Sequence, residues 1–94
     1  MLLLSRTAGQ AVVIEDVELT VVRIAPEYIE LCLRKMTGGK ATVLTVPHNR
    51  RVEICYDVQL VFVTTDGVKA RIGFEAPENI HIARKEFWRS SSNS

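Results

Sequence analysis

Apolar and polar residues alternate along most of this chain. Val17, Leu19 and Val21 alternate with Glu18 and Thr20, the period-two signature of a strand with one buried face. Ala25-Pro26-Glu27 ends that run, because proline fixes φ and removes a backbone donor. Ile29, Leu31 and Leu33 then alternate with Glu30, Cys32 and Arg34, which predicts the next strand. Upstream, residues 2–7 and 10–14 are apolar segments joined by a compact turn at Ala8-Gly9. Thr37-Gly38-Gly39 is the strongest breaker in the chain. Beyond it, residues 42–47 and 51–55 read as strands, and Val58, Leu60 and Phe62 share one face. Asp66-Gly67 supplies a tight hairpin turn, and Ala70, Ile72 and Phe74 complete the hairpin in the same phase. Ile80 opens a last strand that runs into a short helical turn. The pattern predicts an all-β, antiparallel-rich fold of nine strands.

The same pattern occurs twice. Asp16-Val-Glu-Leu-Thr-Val-Val reads again as Asp57-Val-Gln-Leu-Val-Phe-Val, with a turn and a second apolar run behind each. Each unit of roughly forty residues is too short to be a comfortable domain alone, so the two are expected to pack on each other. The expected organisation is one domain of two repeats. The first copy covers 1–36 and has four strands, the second covers 40–88 and has five, and 89–94 form a flexible polar tail. A duplication of this kind suggests a fused homodimer, and hence a monomeric pseudo-dimer.

Composition narrows the function classes. Hydrophobic residues make up 47% of the 94, enough for one shared core. No apolar run reaches membrane-spanning length. The opening Met-Leu-Leu-Leu-Ser-Arg lacks the basic leader and cleavage site of a signal peptide, so the expected location is the cytoplasm, with no membrane partner. A net charge of +1 does not announce nucleic-acid binding, and any basic site must come from local clustering. Cys32 and Cys55 have no CxxC spacing and are expected as buried free thiols. His48 and His81 have no ligand spacing, so neither metal nor cofactor is expected. No nucleophile, base and orienting group converge on a turn or strand end, which argues against an enzyme.

Two segments carry a family resemblance. Met1-Leu-Leu-Leu-Ser-Arg, with Gly9-Gln10 and the apolar run to Ile14, resembles the opening of the CsrA/RsmA carbon storage regulators. Arg71-Ile-Gly-Phe-Glu-Ala-Pro-Glu and Ile80 through Arg84-Lys-Glu-Phe resemble the family's closing half. The segment between them is what an ordinary member lacks, and it is the extra copy. The resemblance implies intertwined five-strand subunits in which the first strand of one lies beside the fifth strand of the other. Each such pair would form a site for GGA-containing hairpin loops in mRNA leaders, with effects on translation or message stability. Small regulatory RNAs and a FliW-like protein are the antagonists it implies.

Carried onto this sequence, the RNA-binding residues would be Leu4, Arg6, Thr7, Ile80, Ile82, Ala83, Arg84 and Lys85. An edge strand offers backbone donors and acceptors to unstacked bases, and Arg84 can clamp a phosphate or a guanine edge. Arg6 would add a second positive charge across the strand pair. Thr7 stands where the family commonly has a second arginine, and Ala83 where a histidine is common. Glu86 and Phe87 match the motif and are expected to orient the terminal turn. Val46-Pro47 falls where Arg6-Thr7 lies, and the first copy lacks a fifth strand, so one site per chain is expected. The alternative is a protein-interaction or decoy module that binds a FliW-like antagonist or subunits of the same fold.

Overall fold

The structure is a computed structural model and describes residues 1–87; the tail expected over 89–94 lies outside the described residues. Nine strands follow in order: β1 (Leu2–Thr7), β2 (Ala11–Ile14), β3 (Val17–Ile24), β4 (Tyr28–Lys35), β5 (Thr42–Pro47), β6 (Arg51–Cys55), β7 (Val58–Thr65), β8 (Lys69–Glu75) and β9 (Ile82–Arg84). A single 3-10 turn, Lys85–Phe87, follows β9. The strands form two antiparallel sheets with orders β1-β8-β7-β6 and β5-β4-β3-β2-β9. The fold is all-β. No helix among the described residues is long and apolar enough to cross a membrane.

Each sheet mixes strands from both copies. β1 leaves the first copy to pair with β8, with Leu4 opposite Ile72 and Arg6 opposite Ala70. β5 pairs in the same way with β4, with Leu44 opposite Leu31 and Val46 opposite Ile29. β9 bonds to β2, with Ile82 opposite Ile14 and Arg84 opposite Val12. The first and fifth strands, expected beside each other, line one groove without pairing: β1 and β9 are not hydrogen-bonded to each other. They are the free edges of different sheets. The core lies between the sheets and takes every second residue, including Leu19, Val21, Ile29 and Leu31 from one copy and Leu60, Phe62, Ile72 and Phe74 from the other. Burying a side chain of this size contributes about 1.5–3 kcal/mol. Cys32 and Cys55 are free, but half-buried where burial was expected.

The turns repeat as the strands do. Gly9 N–H donates to Val21 O at 2.7 Å, and Asn49 N–H donates to Phe62 O at 3.0 Å, the corresponding pair of the second copy. Both turn residues have positive φ, 92° at Gly9 and 64° at Asn49, a conformation glycine and asparagine tolerate best. Glu15 and Tyr56 occupy left-handed conformations at equivalent hairpin turns. Each long hairpin also carries its bulge at the same place, skipping Val22 in one copy and Val63 in the other.

The copies differ at β6. Arg51, Val52 and Glu53 pair in sequence with Val61, Leu60 and Gln59, but the next pair is Cys55 with Val58. Ile54 is thus an extra residue, and it shifts the offset between the copies by one from this point. The bulge matters because β6 pairs with β7 on one side and, among the described residues, with no strand on the other, whereas its counterpart β2 is covered by β9. An unpaired edge invites another chain; a bulge and outward charges are common defences. Here Arg51 and Glu53 are both exposed beside the bulge, and Arg51 forms a 2.6 Å salt bridge to Glu75. The wild-type chain should sediment as a monomer across micromolar concentrations. Deleting Ile54 straightens β6, and sedimentation velocity should then show concentration-dependent association.

Candidate nucleic-acid interface

The free edges of β1 and β9 meet at one corner of the sandwich. Period-two alternation in β1 sends Leu4 and Arg6 to the same face, toward the other sheet, and only 4% of Arg6 is exposed. A guanidinium can be buried only if its donors are satisfied. Nη1 and Nη2 each donate at 2.8 Å to the two carboxylate oxygens of Glu86. Nη1 also donates to Ala11 O at 3.1 Å, and Nε donates to Ser5 O at 2.8 Å. This bidentate pair draws the Glu86 carboxyl down to about 2, the Arg6 hydrogen bonds being the largest cause. Ala70, the small residue opposite Arg6 in the register, leaves room for the stem of the side chain.

Arg6 was expected to face RNA. It is instead a buried tie between β1 and the turn after β9. Glu86 orients that turn by gripping Arg6, which links the first and last segments of the described chain. Leu4 is also buried and belongs to the core. Thr7 is half-buried, and its N–H donates to Gln10 Oε1 at 3.0 Å inside the β1–β2 turn. Ile80 and Ile82 pack their side chains against the core, and Ala83 lies opposite Val13 in the β2–β9 pairing. Lys85 is held by Glu18 at 2.6 Å.

Arg84 is different. It is half-buried on β9, and its Nε is fully buried without a hydrogen-bond partner. Among the described residues no other buried side-chain nitrogen or oxygen is in that condition. A buried donor without a partner costs about 1–3 kcal/mol, a cost that a shift of the side chain toward a ligand oxygen would relieve. Arg84 lies close enough to Glu86 to help lower its carboxyl.

At Ile82, two residues before Arg84, β9 joins its preceding strap and the start of β1 in lining a groove of about 530 Å³, with Met1, Leu2, Pro77, Ile80 and His81 also among its walls. The strap is fixed by a reciprocal pair: Glu15 N–H donates to His81 O at 3.0 Å, and His81 N–H donates to a Glu15 carboxylate oxygen at 2.6 Å. Two exposed cations escaped the sequence reading. Lys69 and Arg71 on β8 stand opposite Thr7 and Ser5 on the outer face next to β1, and neither forms a salt bridge among the described residues. Their signal was present in the alternation of β8, which turns Ala70 and Ile72 inward and these two outward.

The equivalent corner of the other half lacks this chemistry. Val46 faces Ile29 as Arg6 faces Ala70, and it is fully buried. No counterpart of β9, Arg84 or Glu86 follows β4, because the chain turns there into β5. Comparison with protein-family models, curated proteins and solved structures finds no match to this chain.

The Arg6–Glu86 pair makes stability depend on pH. The Glu86 carboxyl is lower in the folded chain than its ordinary 4.5. Its contribution is therefore complete above 4.5 and is lost as pH falls toward about 2. Urea melts of the wild type and of Glu86→Gln should differ most above pH 4.5 and converge as the pH approaches 2.

Proposed function

We propose that this chain is a CsrA/RsmA-like RNA-binding regulator that reads a GGA-containing hairpin loop at the β1–β9 corner. The observation that carries the reading is Arg84: a guanidinium on an edge strand whose Nε has no hydrogen-bond partner among the described residues. RNA hairpin loops present unstacked bases, which are read by backbone groups and a few side chains. Two free sheet edges supply the backbone groups, and the planar fork of Arg84 matches a guanine edge or a phosphate. Lys69 and Arg71, exposed on the neighbouring strand, would hold the phosphates of the hairpin stem. The same corner in the other half lacks both arginines, so the reading gives one RNA per chain. Blocking or exposing a message leader in the cytoplasm is the regulatory role that follows.

Arg6 and Lys85 are already engaged with acidic residues, and this favours the second reading, a protein-interaction module with weak RNA binding. A gel shift with a GGA hairpin separates the two. Binding should saturate at one hairpin per chain, and Arg84→Ala should cost about 1–3 kcal/mol while leaving the melting temperature near wild type. Replacing GGA in the loop by CCU should weaken binding by a similar amount; equal affinity for both loops excludes sequence-specific reading. Arg6→Ala should lower affinity together with stability, because it acts through the position of the terminal turn. Arg50→Ala, beside the degenerate corner, should change neither.

A further inference from the structure

The degenerate corner is not closed over. Where the first corner has the strap and β9, this one has Gly38-Gly39, which present no side chains, and the bulged end of β6. The result is a groove of about 370 Å³. Its floor is apolar, formed by Val17, Leu33, Leu44 and Ile54, and its rim carries Arg34, Lys35 and Lys40. All three cations are exposed, and none forms a salt bridge among the described residues. Two acidic residues lie near them: Glu53 on β6, and Glu18, which is opposite Arg34 in the β3–β4 register and is bridged to Lys85.

The other half of the molecule shows what this location accommodates. There the segment leaving the Glu78-Asn79 turn, Ile80-His-Ile82, runs past the corresponding strands, and its isoleucines, two residues apart, pack on the core. Leu33 here corresponds to Phe74 there, and Thr42 to Leu2, so the two grooves share equivalent positions of the two sheets. The rims differ: Arg34 and Lys35 hold the places of Glu75 and Ala76. We propose that this groove binds an extended acidic peptide of a partner protein, with two apolar side chains two residues apart on the floor and carboxylates on the cationic rim. This site is separate from the RNA corner and does not depend on that reading. An RNA would satisfy the rim but leave the apolar floor in contact with phosphate and water, so a peptide fits better. The Ile54 bulge prevents simple extension of the sheet beyond Glu53, so the occupant is held chiefly by side chains.

The probe is a fluorescein-labelled octapeptide that alternates isoleucine with glutamate, titrated with the full chain and followed by fluorescence anisotropy. Saturable binding at one peptide per chain is expected. The exposed pair Lys35→Glu with Lys40→Glu should weaken it at least about tenfold, equivalent to 1.4 kcal/mol. The same peptide with serine for isoleucine should bind at least about tenfold more weakly, which tests the floor without altering the protein. A GGA hairpin should not displace the peptide. The proposal is overturned if the octapeptide does not bind at about 1 mM, a concentration matching only ~4 kcal/mol of affinity. It is overturned equally if binding ignores both changes, if the hairpin competes, or if sedimentation shows a dimer that the charge-reversed variant dissolves, since the groove would then take a second copy of this chain.

Discussion

Strand exchange is the constraint on which this molecule depends. β1 bonds along its length to β8, β5 to β4, and β9 to β2, so each sheet is completed by strands from the other copy. Pulling the copies apart would strip an edge from each sheet and open the core, which draws on both. Such a core cannot be assembled one copy at a time. Its long-range pairings require loop closure before any contact rewards it. The same exchange also shows where two copies can be joined most cheaply. β4 and β5 are antiparallel neighbours, with Leu33 opposite Thr42, so a short hairpin loop through Gly38-Gly39 links them.

That junction has a geometric consequence. A chain leaving β4 can cross toward β6 as a fifth strand or turn back into β5, but it cannot do both. By turning back it fuses the copies and leaves β6 bare. The second copy has no such conflict after β8 and crosses to cover β2 with β9. The chemistry at the corners follows from this. Arg6 can be buried only because Glu86, delivered by the segment after β9, neutralises it. At the other corner no carboxylate arrives, and an arginine in the place of Val46 would be a buried unpaired charge. Valine at 46 is therefore what the missing strand demands. The absence of an arginine and the absence of a fifth strand at this corner are thus physically coupled.

Much of the fold was legible in the sequence because period-two alternation with one buried face reports strands directly. The segments 42–47 and 51–55 carry over unchanged as β5 and β6, and Ala25-Pro26-Glu27 ends a strand as expected. Partners were not legible. Alternation says which face of β1 is buried, not that β8 lies beside it, since that pairing spans most of the chain. The eight expected site residues were less legible still. An arginine in a strand reads as exposed, and only the arrival of Glu86 from the far end makes Arg6 a core residue. Arg84 drew attention through its type, but what distinguishes it is an unpaired Nε, a property of packing. The Ile54 bulge was present in the numbers all along, as the one-residue change of offset between the copies, yet a single insertion has no meaning until a register is known.

The distribution of charge limits how the β1–β9 corner can work. Of its basic residues, Arg6 and Lys85 are neutralised by Glu86 and Glu18, leaving Arg84, Lys69 and Arg71. Each neutralised phosphate contributes a slope of about −0.7 in the dependence of affinity on salt for single strands. With three available cations, nonspecific attraction is small, in keeping with a net charge of +1. An RNA bound here would gain little from being merely anionic. Discrimination would have to come from the strand edges and from the guanidinium of Arg84. A planar guanidinium favours a ligand that places an oxygen on its fork over one that does not, whatever their total charge. With few free charges, a ligand site at this corner would depend on placed hydrogen bonds more than on the attraction of a polyanion.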